Sequence, residues 1–143
     1  MNEVAVKGWI KKHEGYRDKV HINSQGVPIC GWGHALLENT VIPPEVAQIF
    51  FQLDFSQAKR DLKSVFELYK LPNIGPTRKA VLLHMLFLLG LEKVGGFEKM
   101  LAALQEEDFE KAADEMLNSK WTKQAGERAV EMAGMMRSGR IGT

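Results

Sequence analysis

The sequence predicts a mainly α-helical α+β protein that contains one small β-hairpin. Apolar residues recur at three- to four-residue spacing before residue 15 and along most of the chain after residue 43, which is the period of an amphipathic helix. Residues 16–33 instead show the alternation of strands, around a turn-forming run at residues 23–26. With 143 residues, of which 45% are hydrophobic and 26% charged, the chain is long and apolar enough to bury the core of a single domain.

The first part of the chain is predicted to form one helix and the hairpin. Apolar residues at positions 4, 5, 9 and 10, with lysines on the other side, predict a helix that ends near Glu14 and Gly15, because glycine readily takes the left-handed conformation that stops a helix. Val20 and Ile22 mark the first strand, and residues 27–30 mark the second. A further short strand or extended segment is expected over residues 36–41.

The remainder of the chain is predicted to be helical. Prolines 43 and 44 start a long helix whose apolar face continues for six turns, as far as Val65. A second helix begins at Pro76, and its run AVLLHMLFLL predicts a central helix packed on every side, with His84 as a hydrogen-bonded core histidine. Shorter helices are expected around residues 97–105, 109–118 and 126–135. Three methionines near the end, at positions 132, 135 and 136, have the spacing of core residues.

Composition excludes several classes of protein. A formal charge of +1 argues against a dedicated nucleic-acid binder, which carries a basic excess on one face. Cys30 is the single cysteine, so no intramolecular disulfide is expected, and the four histidines lack the spacing of metal ligands. The N-terminal residues do not resemble a signal peptide, and the longest apolar run is too short to cross a bilayer. We therefore expect no metal, no integral membrane segment, and export only by means outside this chain.

One motif carries a candidate chemistry. Glu14-Gly15 at the predicted helix end is followed by Asn23-x-x-Gly26-x-x-Ile29-x-Gly-Trp-Gly-His, which ends at residue 34. This pattern resembles the signature of the phage-type lysozymes of glycoside hydrolase family 24, the T-even phage lysozyme group. That signature is Glu-Gly, then Asp-x-x-Gly-x-x-Thr-x-Gly-x-Gly-His, and the spacing here matches it without a gap.

Further blocks extend the resemblance over most of the chain. Residues 119–129, SKWTKQAGERA, are similar to the family's Ser-Arg-Trp-x-x-Gln-x-x-x-Arg-Ala, and residues 136–139 resemble its closing segment. Phe87, Gly90 and residues 95–97 also fall where the family has similar residues, with a shortening between positions 34 and 42. Within this match, Trp121 is expected to be a packing residue at a helix junction rather than a sugar platform.

The resemblance implies a lysozyme-like two-lobe fold within one domain. The small lobe with the hairpin would comprise about residues 15–50. The helical lobe would comprise about residues 51–143 together with the N-terminal helix at residues 2–14, and the long helix would connect the two. Peptidoglycan would lie in a cleft between the lobes and be cut at the β-1,4 bond between N-acetylmuramic acid and N-acetylglucosamine. Such an endolysin would act as a monomer without a cofactor, at the bacterial cell wall in the periplasm, after release from the cytoplasm.

The resemblance also implies roles for individual residues. Glu14 matches the general acid, and Arg128 matches an arginine that pairs with that acid and orients it. Trp32, Phe87 and Leu88 are candidate substrate contacts. Structural positions in the same motifs are Gly31, Gly33 and His34, the histidine tying the hairpin to the helical lobe.

The water-handling half of the site departs from the family pattern. An inverting glycosidase needs a carboxylate to activate water, but the family's Asp is Asn23 here and its Thr is Ile29. Asparagine cannot act as a base, and isoleucine cannot form a hydrogen bond. Three explanations are open: a hydrolase in which the Asn23 carbonyl orients water and another acid such as Asp18 helps, a lytic transglycosylase that needs a single acid, or an inactive protein that binds glycan or a partner. Leu88, where relatives often have a polar residue, favours the last.

Overall fold

The computed structural model describes residues 1–142. Within them the chain forms eight α-helices and one three-stranded antiparallel sheet, and 64% of the structure is helical. The mainly α-helical α+β class predicted from the sequence is therefore confirmed. The chain divides into two compact units, the first comprising Met1–Ala47 and the second beginning at Gln48. The lobe boundaries proposed above stay a prediction.

Helix α1, Glu3–Glu14, begins and ends with local signals. The side chain of Asn2 accepts a hydrogen bond from the backbone N–H of Ala5 at 3.2 Å, which caps the first turn. At the other end Gly15 has φ +71° and ψ 159°, a backbone region that is essentially restricted to glycine. The predicted helix and its end are confirmed, and Glu14 is the last helical residue.

The sheet of the first unit contains β1 Arg17–Ile22, β2 Pro28–Gly31 and β3 His34–Ala35, in that spatial order. The hairpin of β1 and β2 is confirmed. The third strand comprises residues 34–35 and therefore ends just before the segment at 36–41 in which a short strand or extended segment is expected. Its pairing with β2 follows a tight two-residue turn at positions 32–33.

Strand β1 contains a bulge. Arg17 lies opposite Gly31, and His21 lies opposite Ile29. The three residues 18–20 therefore face Cys30 alone. A bulge bends its strand and interrupts the regular alternation of side chains between the two faces, so the alternating pattern of the sequence does not decide which β1 side chains lie together.

The two longest helices begin at prolines, as predicted. Helix α2, Pro44–Leu68, and helix α3, Pro76–Leu89, both exploit the fixed φ of proline in the first turn. Burial along the apolar face of α2 is confined to its second half, at Ala58, Leu62 and Val65. No helix in the described part of the chain is both long and apolar enough to cross a membrane.

Five shorter helices complete the second unit: α4 Leu91–Gly95, α5 Glu98–Gln105, α6 Phe109–Leu117, α7 Lys120–Ala125 and α8 Glu127–Ser138. The sequence predicted α5, α6 and α8. It did not predict α4 and α7, because helices of five and six residues are too short to establish a period.

The apolar core lies in the second unit and includes the aromatic residue predicted to pack there. Trp121 is only 6% exposed, and its ring lies edge-on to Phe97 with centroids 6.3 Å apart. Met132 and Met136 are buried, and Met135 is partly buried against the same core. The packing roles predicted for these residues are confirmed.

Helix α3 differs from its prediction. Its buried residues are Val81, Leu82, Met85 and Leu86, which form one face, whereas His84 is exposed. The prediction of a core histidine on a helix packed on every side is therefore wrong. Burial follows the position of a residue around the helix axis, and residue 84 lies outside the buried face even though its sequence neighbours are apolar.

Candidate active site

Glu14 is an exposed carboxyl at the C-terminal end of α1. An acid at this end faces the negative pole of the helix dipole, an arrangement that typically costs about 0.3–1 kcal/mol. Arg128 is exposed in the first turn of α8. A cation in this position faces the positive pole of the helix dipole. Neither charge therefore stabilises the dipole of its own helix.

Gly33 provides the space for the Glu14 side chain. A Cβ atom built on Gly33 would lie 3.2 Å from Oε2 and 3.8 Å from the carboxyl carbon of Glu14. Gly33 also has φ +77°, a conformation that other residues adopt only with strain. The loop between β2 and β3 is thus shaped to lie directly against the candidate acid.

A surface pocket of about 520 Å³ opens beside Glu14 within the first unit. We call it the Glu14 pocket. Its lining residues are Glu14, Gly15, Tyr16, Arg17, Asp18, Lys19 and His21. Asp18, the acid considered from the sequence, therefore shares a pocket with Glu14. His21 does so too, although the sequence gave it no role in catalysis or binding, since its position depends on the β1 bulge.

Asn23 organises the turn of the hairpin. Its Oδ1 accepts hydrogen bonds from the backbone N–H groups of Gln25 at 2.9 Å and Val27 at 3.0 Å. Its own backbone N–H donates to the carbonyl of Val27 at 2.9 Å. An amide oxygen has two lone pairs, and both are directed to backbone donors here. This geometry counts against the explanation in which the Asn23 carbonyl orients a water molecule.

The two hydrogen bonds to Asn23 Oδ1 are expected to stabilise the fold. We expect Asn23→Ala to lower the free energy of unfolding by about 1–3 kcal/mol, because two backbone N–H groups lose their acceptor. Asn23→Asp should change it much less, since a carboxylate oxygen accepts the same two bonds. Urea denaturation of both variants measures the difference. Equal losses in the two variants would contradict this role for Oδ1.

Ile29 lies within β2, and Trp32 is the first residue after that strand. Ile29 is half-buried and presents no polar atom on its side chain. Trp32 is 46% exposed, its ring centroid lies 4.9 Å from that of Tyr16, and the Lys11 Nζ lies 4.1 Å from the ring centroid. An exposed aromatic pair next to the acid offers flat apolar faces on which sugar rings can pack.

The remaining predicted site residues have clear local positions. His34 is exposed, begins β3 and pairs with Cys30, and Gly31 has φ +61° at the end of β2. Phe87 and Leu88 are half-buried on α3 and pack against the core, with the Phe87 ring 5.6 Å from that of Phe51. The roles of these residues, and the pairing of Arg128 with the acid, stay predictions.

Two further observations concern metal-ligating side chains and a second pocket. Among residues 1–142, no three His, Cys, Asp or Glu side chains are grouped as a metal ion would require. A pocket of about 570 Å³ lies in the second unit, where Phe97 and Trp121 are accompanied by the lysines at 93, 99 and 120. It is formed by residues other than those of the Glu14 motif, so volume alone does not identify the site.

Comparisons with known proteins agree with the motif. A sequence profile described as phage lysozyme matches residues 11–139. The pre-baseplate central spike protein Gp5 of Enterobacteria phage T4 is 26% identical over 96% of this chain, which spans 28% of that relative's length. Probable T4-type lysozyme 1 of Dictyostelium discoideum is 22% identical, with 96% of each chain covered. Probable T4-type lysozyme 2 of that organism is 27% identical over 76% of this chain and 67% of its own length.

Proposed function

The chain belongs to the phage lysozyme family, and on that premise we propose that it cleaves the glycan strands of peptidoglycan. The bond cut is the β-1,4 bond between N-acetylmuramic acid and N-acetylglucosamine. The observation that carries the proposal is the placement of Glu14, an exposed carboxyl at a helix end, held against Gly33 beside a pocket of about 520 Å³. The protein acts at the bacterial cell wall after release from the cytoplasm, as a monomer without a cofactor.

Glu14 supplies the proton that bond cleavage needs. A sugar alkoxide is a poor leaving group, so the departing oxygen has to be protonated as its bond to the anomeric carbon breaks. The resemblance assigns to Arg128 the orientation of this acid, and that role stays a prediction. Trp32, Phe87 and Leu88 contact the glycan. The exposure of Trp32, beside Tyr16, supports the first of these contacts.

Lytic transglycosylation is the second candidate function. In that reaction the 6-hydroxyl of the muramic acid attacks its own anomeric carbon, so that no external water has to be activated. The apolar side chain of Ile29 and the occupied oxygen of Asn23 favour it. A protein that binds glycan or a partner without turnover is the remaining alternative.

Digestion of purified peptidoglycan, followed by mass analysis of the products, separates these functions. New reducing ends that depend on enzyme concentration support hydrolysis. Ends that carry 1,6-anhydro muramic acid identify transglycosylation. Intact glycan strands after prolonged incubation with the folded protein would refute both enzymatic functions and leave binding.

Gly33→Ala tests the contact between the loop and the acid. We expect it to lower glycan cleavage roughly 10-fold, because the added methyl group displaces the Glu14 carboxyl and misplaced catalytic groups lose rate steeply. The positive φ also predicts a loss of about 1–2 kcal/mol in stability. Initial rates on peptidoglycan and thermal denaturation measure the two effects.

Gly26→Ala is the matched control for this substitution. Gly26 has φ +79°, but a Cβ atom there would meet nothing within 4 Å. Its backbone strain should therefore resemble that of Gly33→Ala without any effect on the acid. If both variants lose the same fraction of activity, the loss comes from general destabilisation and the contact with Glu14 is unimportant.

A further inference from the structure

We propose that His21 activates the attacking water in a hydrolytic reaction, opposite the acid Glu14. This inference rests on the proposed glycan cleavage and names the missing base of the same site. The two side chains lie in the first unit and line one pocket. With Asn23 engaged in its turn and Ile29 apolar, Asp18 and His21 supply the other carboxyl group and the imidazole of the pocket, which are side chains of the kind that act as general bases.

The position of His21 is fixed by the sheet. It lies directly opposite Ile29 in the antiparallel pair of β1 and β2, and side chains of directly opposed residues share a face of the sheet. His21 is half-buried, whereas Asp18 is exposed within the bulge. A base that is held in place by its surroundings activates water more effectively than a mobile one.

The hydrogen bonding of His21 is incomplete. Its Nδ1 is buried and has no hydrogen-bonding partner among the residues that the structure describes. An unsatisfied buried polar atom is rare in folded proteins. Because Nδ1 is shielded from solvent, the proton acceptor in this proposal is the other ring nitrogen, Nε2. Imidazole is also the side chain best suited to exchange protons near neutral pH.

The reaction needs room for a water molecule between the acid and the base. In an inverting glycosidase these two groups lie roughly 6.5–9.5 Å apart. The pocket that Glu14 and His21 both line has a volume of about 520 Å³, and Arg17, Asp18 and Lys19 also line it.

In the proposed step, the water oxygen forms a bond to the anomeric carbon of the muramyl residue as the bond from that carbon to the glycosidic oxygen breaks. Glu14 gives its proton to the departing oxygen. The Nε2 of His21 takes a proton from the water. The imidazolium then returns a proton through solvent to the Glu14 carboxylate, so atoms and charges balance over one turnover.

The test measures kcat and KM for release of reducing ends from peptidoglycan by the full chain. His21→Ala should lower kcat about 10²-fold or more with little change in KM, as loss of a general base does. Added azide should restore turnover and give muramyl azide ends, because an anionic nucleophile needs no base. His21→Gln, which keeps a polar side chain, should behave in the same way and guards against misfolding of the alanine variant.

His13→Ala is the matched control. His13 is an exposed histidine of the same unit, with its ring edge-on to Trp9 at 5.0 Å, and its removal should leave kcat unchanged. Circular dichroism confirms that each variant is folded.

Several outcomes would overturn the inference. The first is an unchanged kcat in both His21 variants, and the second is a loss of kcat in these variants that azide does not restore. The third is a loss of kcat in Asp18→Asn that azide restores, because Asp18 would then be the base. Products with only 1,6-anhydro ends would also overturn it, while leaving glycan cleavage intact. Absence of any cleavage by the unmodified protein would reject both this inference and the proposed function.

Discussion

Glu14→Gln is expected to reduce glycan cleavage at least about 10²-fold, the contribution typical of a general acid. Glutamine keeps the size and polarity of the side chain but has no proton to give to the leaving oxygen. Glu14 is exposed and ends its helix, so the substitution should leave the fold and the thermal midpoint almost unchanged. Reducing ends or anhydro ends released from purified peptidoglycan, at equal protein concentration, provide the measurement.

Glu3→Gln gives a matched control on the same helix. Glu3 is an exposed acid in the first turn of α1, where its Oε2 lies 3.9 Å from the Nζ of Lys7. Removal of this charge should leave the cleavage rate unchanged, since exposed pairs of this kind contribute little. Full activity in a folded Glu14→Gln protein would exclude Glu14 as the acid and with it the mechanism proposed above.

Arg78→Ala is expected to have the largest effect on stability, a loss of about 2–4 kcal/mol in the free energy of unfolding. The Arg78 Nε donates to the carbonyl of Met136 at 2.6 Å, and Nη2 donates to that of Arg137 at 3.1 Å. These carbonyls belong to the last turn of α8, where no helical N–H is left to bond them. The guanidinium also lies over the Phe109 ring, 3.6 Å from its centroid.

The close approach of Arg78 explains a glycine in the closing segment of the chain. Gly139 ends α8 with φ +71° in the left-handed conformation, and a Cβ atom there would lie 3.0 Å from the Arg78 Cζ. The same helix end is tied to α6, because Arg137 donates to Asp114 and Glu110. Those hydrogen bonds, the one to Asp114 first, raise the pKa of Arg137.

Thermal and urea denaturation measure the Arg78 effect, with a fall in Tm of roughly 5–15 °C expected for a domain of this size. Arg78→Lys should lose an intermediate amount, because lysine keeps the charge but not the planar fork of donors. Arg60→Ala is the control: Arg60 is exposed on α2, and its side chain donates one hydrogen bond, to Gln57 on the same helix. A Tm in Arg78→Ala close to that of the control would show that the cap of α8 is unimportant.

Local chemistry made the secondary structure largely predictable. Pro44 and Pro76 fix the starts of α2 and α3, Gly15 stops α1, and the turn after Asn23 defines the hairpin. Each of these signals acts within a few residues of the feature that it determines. Helices α4 and α7 were missed because their stability depends on packing rather than on a periodic pattern of their own.

Residue roles that depend on burial were predictable only in part. His84 was expected in the core because its neighbours are apolar, but it lies outside the buried face of α3. Trp121 was correctly expected to pack, since its place in a family motif added information that hydrophobicity alone lacks. The hydrophobicity of a residue and its neighbours indicates a preference for burial. The direction in which its side chain points is set by the elements packed around it.

By itself, the sequence determined the fold class, the family and the identity of the candidate acid, because short motifs and periodic patterns encode all three. The tertiary structure decided that Gly33 leaves space for Glu14, that backbone donors occupy the oxygen of Asn23, and that His21, opposite Ile29 in the sheet, lines a pocket with Glu14. These contacts arise from the bulge in β1 and from a loop that folds back on a helix end. Such geometry depends on strand register, which a pattern of residue types does not specify.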